Sequence, residues 1–207
     1  MKITPNQIIL FDLDHTVHSP HKFRELYKAK LLSNLSIKDE EFEKARLDYD
    51  ATLKKRTFFH PHKYTAHLAK HLGHKHSELK KHYYHDLNFE KSIFEETKEV
   101  LEPLSKTHKL GVYSEGYKSA QIRKIKKGKV QQFFDPALLF IFFNKRTKRV
   151  LDLLPKNAVI VDDNPDVINI LLQRADLIPV WINRKDKSKH HKAYTIHSLK
   201  ELLGLIA

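Results

Sequence analysis

Three features of this 207-residue chain predict an α/β fold, a doubly wound parallel sheet with helices on both faces. Apolar runs of strand length recur at residues 8–11, 110–113, 138–142, 158–161 and 178–182, and helical segments separate most of them. Alternating strands and helices imply parallel pairing through right-handed crossovers. Four of the runs finish in polar or charged residues, and in open parallel sheets ligands bind beyond the carboxyl ends of the strands. The third feature is a block between the first and second strands that holds helical patterns only. The expected organisation is a Rossmann-like core from residues 1–17 and 92–207 with an all-helical insertion, a cap, at 18–91.

Composition narrows the class of protein. A hydrophobic fraction of 41% argues against disorder, and 207 residues can bury one core carrying a sizeable insertion. The longest apolar runs are too short to span a bilayer, and the first residues lack the apolar segment of a signal peptide, so a soluble cytoplasmic protein with no membrane partner is expected. With no cysteine, disulfides, thiolate metal sites and thiol nucleophiles are excluded. The net charge of +13 raises the local concentration of anions, but the basic residues are spread over the whole chain and read first as solvated surface. Among 15 histidines, pairs such as His60/His62, His67/His71 and His74/His76 have metal-compatible spacing, yet no neighbouring carboxylate cluster completes a site.

Taken in order, the run Ile8-Ile9-Leu10-Phe11 reads as a buried strand that meets two acids, Asp12 and Asp14, followed by Thr16. Helices are expected at 22–32 and 39–53 from apolar residues at helical spacing. Pro61 opens another that Gly73 stops, and Ser77 is a plausible cap for one through residue 84. A helix at 95–105, interrupted near Pro103, leads to the strand at 110–113, which ends at Ser114. A helix at 117–126 stops at Gly128. A buried strand at 138–142 finishes at Asn144-Lys145, and a helix at 147–154 precedes the strand at 158–161. That strand ends in Asp162-Asp163-Asn164-Pro165-Asp166, with Asn164 as N-cap and Pro165 at the first position of a helix through residue 173. A strand at 178–182, an exposed basic loop at 184–192 and a helix at 198–203 complete the pattern.

Asp12, Asp14, Ser114, Lys145 and Asp162, Asp163 and Asp166 should therefore converge on one rim. Carboxylates crowded at a sheet edge need a cation, and all-oxygen ligands select a hard ion such as Mg²⁺. A hydroxyl and a fixed ammonium complete a set suited to a phosphoryl group. One carboxylate can attack as nucleophile, forming an aspartyl-phosphate, while a second acid moves protons.

These residues carry a resemblance. Phe11-Asp12-Leu13-Asp14-His15-Thr16-Val17 resembles the first motif of the haloacid dehalogenase superfamily, Val112-Tyr113-Ser114 the second, Lys145 the third, and Val161-Asp162-Asp163-Asn164-Pro165-Asp166 the fourth. Phe133-Phe134-Asp135 is similar to a turn of that family. The resemblance implies Asp12 as nucleophile and metal ligand, and Asp14 as general acid/base that ligates metal through its carbonyl. Thr16, Ser114 and Lys145 would hold the phosphoryl group, Asp162 would ligate Mg²⁺, and Asp163 or Asp166 would support it. Lys145 is preferred to Lys148 and Lys156 nearby. Aspartate at position 14 is similar to phosphatase and phosphotransferase members rather than true dehalogenases; the family's usual glycine before the threonine is His15 here.

The expected activity is that of a Mg²⁺-dependent phosphatase acting on a small phosphorylated metabolite or nucleotide. A phosphotransferase or phosphomutase of the same fold is the first alternative. The second is a nucleic-acid-associated protein, a polynucleotide-end phosphatase or a basic binder, although no recognised nucleic-acid motif accompanies the charge. In the family such caps close over the site and select the substrate, with His18, His21 and Arg24 as nearby basic candidates and Phe58, Phe59 and Tyr64 as aromatic ones.

Overall fold

The computed structural model describes residues 2–53 and 59–206, so Phe58 lies outside the described residues. The chain divides into two compact units, Met1–Ser19 with Ile93–Ala207, and Pro20–Ser92. Among the described residues no helix is long and apolar enough to cross a membrane.

The first unit is built on six parallel strands: β1 (Ile8–Phe11), β2 (Lys109–Glu115), β3 (Leu139–Phe142), β4 (Val159–Asp162), β5 (Ile178–Ile182) and β6 (Tyr194–Ile196). Their order is β3-β2-β1-β4-β5-β6, the doubly wound arrangement. β1 lies at the centre, where both faces are covered, and Ile9, Leu10 and Phe11 are fully buried. Phe11 pairs with Val112 on one side and Val161 on the other, so the residues that follow each strand emerge together at one edge. Strand β2 approaches its neighbours closely at Gly111. A Cβ there would lie 2.5 Å from the Leu138 Cβ and backbone oxygen, so only glycine fits.

Among its described residues the second unit has helices only: α1 (Pro20–Leu35), α2 (Asp39–Thr52), α3 (Pro61–Leu72), α4 (His76–Tyr83) and α5 (Asp86–Glu90). Its core is aromatic, with Phe23 set edge-to-face against Tyr83 and Phe89 at 4.9 and 4.8 Å and Tyr49 against Tyr64 at 5.1 Å. Tyr64 is 4% exposed within this cluster and so packs the unit's own interior, whereas Phe59, at 44% exposure, lies at its edge against Tyr49 and Tyr64. Gly73 ends α3 in the left-handed region (φ 69°), the usual helix stop. Helix α4 begins one residue before Ser77, because Glu78 accepts the backbone N–H of Lys75 and caps the helix from within.

Four helices complete the first unit: α6 (Glu96–Thr107), α7 (Lys118–Lys127), α8 (Lys148–Leu151) and α9 (Pro165–Leu171). Pro103 does not interrupt α6; the buried face of Val100, Leu101 and Leu104 carries the helix through it. Strand β3 is half-buried rather than buried, because it is an edge strand. β6 lies in a polar stretch whose sequence carries no strand pattern. It has only three residues, and pairing with Val180–Ile182 of β5 makes it a strand. The final helical segment is a 3₁₀ helix, Leu199–Leu205, capped by Ser198.

Candidate active site

Register brings the acids together. β1 and β4 pair Ile9 with Val159, Leu10 with Ile160 and Phe11 with Val161, so Asp12 and Asp162 follow side by side. Both carboxylates are buried, Asp12 at 4% and Asp162 at 0% exposure. Between them lies the ammonium of Lys145, 2.7 Å from Asp12 Oδ1 and 2.5 Å from Asp162 Oδ2. Lys148 and Lys156 are exposed.

Lys145 follows edge strand β3, and its position depends on β2. Tyr113 and Glu115 share one side of that strand, as alternation requires. Glu115 Oε2 accepts the Lys145 backbone N–H at 3.0 Å, the Tyr113 hydroxyl donates to the Lys145 carbonyl at 2.5 Å, and the Tyr113 ring lies 5.2 Å from the ammonium. Ser114, between them, is 1% exposed and borders the cleft.

The cleft measures about 450 Å³ and is lined by Asp12, Asp14, His15, Ser114, Glu115, Lys145, Arg146, Asp163, Asn164, Pro165, Asp166, Val167 and Lys185. Six of the residues singled out in the sequence thus share one wall, with Asp162 buried beside Asp12 and Lys145. Thr16 is not part of it: the residue is fully buried, and its hydroxyl has no hydrogen-bond partner among the described residues. Asp166 is exposed, and its backbone N–H is capped by the Asn164 side chain at 2.9 Å.

Electrostatics separates the carboxylates. Burial pushes the Asp12 carboxyl up to about 7 against the pull of Lys145, with Asp162 and Asp14 adding to the rise. Burial raises Asp162 as well. Asp163 is pushed to about 7 by burial and the neighbouring Asp12 charge. The Lys145 ammonium goes the other way: burial alone would lower it, but Asp12 and Asp162 hold it above its ordinary value. Carboxylate oxygens of Asp12, Asp162 and Asp163 lie within 4.8 Å of one another. Three acids against one ammonium leave an excess of negative charge in a dry place, and an all-oxygen donor set suits a hard divalent cation such as Mg²⁺.

Asp14 is held differently. Its two oxygens accept from Lys124 Nζ at 2.7 and 2.6 Å, with His18 Nδ1 at 3.1 Å and Gln121 Nε2 at 3.4 Å. Burial would raise its pKa, yet Lys124 and His18 keep the carboxyl far below the usual range. In this arrangement Asp14 is an ionised acceptor. Sequence reasoning missed Lys124 and Gln121, which reach back from α7 over more than a hundred residues; a basic residue and an amide one turn apart on the helix after Ser114 is the only trace they leave. His18, read as part of the inserted block, belongs to the first unit and is 2% exposed.

His15 adopts φ +64°, the left-handed conformation that glycine takes without strain. Histidine is tolerated there better than most residues, at a cost of order 1 kcal/mol. His15→Gly is therefore expected to stabilise the chain slightly, by up to about 1 kcal/mol, or roughly 2–4 °C in thermal unfolding. An unchanged or lower melting temperature would show that the imidazole contributes more than its backbone costs.

Neither a scan of protein-family models nor a search of curated proteins finds a match. Among solved structures the fold is that of haloacid dehalogenase-like hydrolases. YfnB from Bacillus subtilis, assigned as a HAD-hydrolase and bound to magnesium, is 17% identical over 98% of this chain and 99% of its own, with a TM-score of 0.66. A protein of Burkholderia xenovorans LB400, assigned as a haloacid dehalogenase-like hydrolase, is 17% identical over 97% of both chains, also at 0.66. A Thermotoga maritima protein assigned as a β-phosphoglucomutase is 14% identical over 96% of this chain and 97% of its own, at 0.58. Dehalogenases also share the fold.

Proposed function

We propose that this chain is a haloacid dehalogenase-superfamily enzyme, a Mg²⁺-dependent phosphatase that hydrolyses a small phosphate monoester. The observation that carries the reading is Lys145, whose ammonium touches Asp12 at 2.7 Å in a cleft that Ser114 also lines. In this reading Asp12 attacks phosphorus, the bond to the leaving oxygen breaks, and an aspartyl-phosphate forms. Lys145 and Ser114 hold the phosphoryl oxygens. Asp14 gives a proton to the leaving oxygen and later takes one from the attacking water. To donate, its carboxyl must first part from Lys124. Mg²⁺ held by Asp12, Asp162 and Asp163 would neutralise charge on the phosphoryl group and orient it. A second acid beside the nucleophile supports phosphoryl chemistry over dehalogenation, which has no leaving oxygen to protonate. The helical unit is assigned the selection of substrate.

The test is turnover of p-nitrophenyl phosphate with and without Mg²⁺. Asp12→Asn is expected to lower kcat by about a thousandfold or more, because a nucleophile acts as part of a unit whose loss is not compensated. Robust turnover by that variant would sink the mechanism. With a hexose phosphate, analysis of the products separates hydrolysis from transfer to a second hydroxyl.

A further inference from the structure

Arg184, in the loop after β5, was expected to be one more exposed base of a basic tract. Its side chain is instead 19% exposed and joins two separate segments, the turn at His15 and Thr16 and the start of α6 at Phe94 and Glu96. Nε donates to the His15 carbonyl at 3.1 Å and Nη2 to the Thr16 carbonyl at 2.9 Å. Nη1 meets the Glu96 carboxylate at 2.7 Å, and the guanidinium lies 3.8 Å from the centre of the Phe94 ring. Glu96 is itself well covered at 14% exposure, and its pKa is lowered partly by Arg184.

The loop it holds is the one that carries Asp14. From Leu13 the chain turns back tightly, and the Leu13 carbonyl accepts from the backbone of Thr16, Val17 and His18 at 3.3, 2.9 and 2.8 Å. His15 sits in the left-handed region to make that turn. The turn leaves the carbonyls of the exposed His15 and the buried Thr16 open to a donor from outside, and at Thr16 a buried carbonyl without a donor is costly. The planar fork of arginine reaches both at once, while Glu96 and Phe94 fix the fork.

We propose that Arg184 is a positioning residue for Asp14: it locks the strained turn so that the Asp14 carboxyl is presented at a fixed place beside Asp12. The proposal rests on the phosphatase reading for the role of Asp14, and on geometry alone for the clamp. A group that only shields or folds the core affects all substrates alike. A group that places the proton donor matters in proportion to how much the leaving oxygen needs a proton.

The experiment compares wild type, Arg184→Met and Arg184→Lys on two esters: p-nitrophenyl phosphate, whose leaving group departs as an anion, and glycerol phosphate, whose alkoxide must be protonated. Arg184→Met is expected to lower kcat on glycerol phosphate by roughly tenfold to a hundredfold, with KM little changed, and on p-nitrophenyl phosphate by less than about threefold. Arg184→Lys, a point charge unable to serve both carbonyls and Glu96, should fall between the two and guards against a Met variant that fails to fold. Hydrogen exchange without substrate provides the second readout. The amides of Thr16, Val17 and His18 should exchange at least about tenfold faster in the Lys variant, with those of Ile8–Phe11 unchanged. Equal losses on both esters, or exchange that rises across the whole strand as well, overturns the positioning role. A wild-type chain inactive on both esters overturns the phosphatase reading instead, and the exchange measurement then decides the clamp by itself.

Discussion

Replacing Lys145 by methionine is expected to destabilise the first unit by about 3–5 kcal/mol near neutral pH, because removing one member of a buried ion cluster leaves the others unpaired. At roughly 2–4 °C per kcal/mol for a chain of this size, the melting temperature should fall by about 10 °C. The Lys145 side chain is 6% exposed and those of its partners Asp12 and Asp162 are 6% and 0% exposed, so little water is at hand to take its place. The pH dependence follows from the same cluster. Both carboxyls are raised by burial, so in the folded chain they bind protons that the unfolded chain has already released. Stability therefore rises as pH falls toward the unfolded carboxylate value. The deficit of Lys145→Met should shrink from pH 8 to pH 5, where neutral acids no longer need the lysine. A variant that melts like wild type at pH 8 would show that the acids find another partner.

The second large effect concerns a divalent cation and needs no substrate. Asp12 and Asp163, both raised to about 7, must shed protons before they can ligate metal. Mg²⁺ at about a hundred times its dissociation constant should stabilise the chain by about 2.7 kcal/mol at pH 8, some 5–10 °C in melting temperature. At pH 5, with both acids protonated, the gain should fall to a small fraction of that. Asp163→Asn, which keeps the shape but not the charge, is expected to weaken the cation response by roughly tenfold. If Mg²⁺ raises the melting temperature equally at both pH values, or not at all, then Asp12, Asp162 and Asp163 are not its ligands.

A divalent cation and the Lys145 ammonium would neutralise the same carboxylates. Asp14 stands apart from both. Its folded pKa is depressed, so it contributes stability above the unfolded carboxylate value and loses it only in acid. Two aspartates separated by one residue thus have opposite electrostatic environments, one crowded by acids and the other held by Lys124 and His18.

Much of the site was legible in order along the chain because its principal residues follow strand ends. An apolar run such as Ile8–Phe11 must be buried, and the first polar residue after it must lie at the sheet's edge. Doing this three times places Asp12, Ser114 and Asp162 on one rim before any coordinates are known, and the polar pair Asn144-Lys145 after the run at 138–142 adds the lysine. The strand ends could not reveal residues that act across long sequence separations. Lys124 and Gln121 reach Asp14 from α7, Glu115 holds the backbone of Lys145, and Arg184 closes on the loop 168 residues before it. Each reads in sequence as an ordinary surface polar residue. Thr16 shows the converse: the family resemblance implies phosphate binding, and a tight turn at Leu13 buries its hydroxyl away from the cleft.

Hydrophobic periodicity and strand-end chemistry by themselves determined the α/β class, the helical insertion and the crowding of carboxylates at one edge, since burial dictates which residues can form a parallel sheet. Tertiary structure alone decided that the Lys145 ammonium bridges Asp12 and Asp162, that Asp14 rests on Lys124, and that Arg184 is tied to the turn beyond Asp14. The physical reason is distance: charge pairing falls off within a few ångströms, and only the folded chain determines which residues come that close.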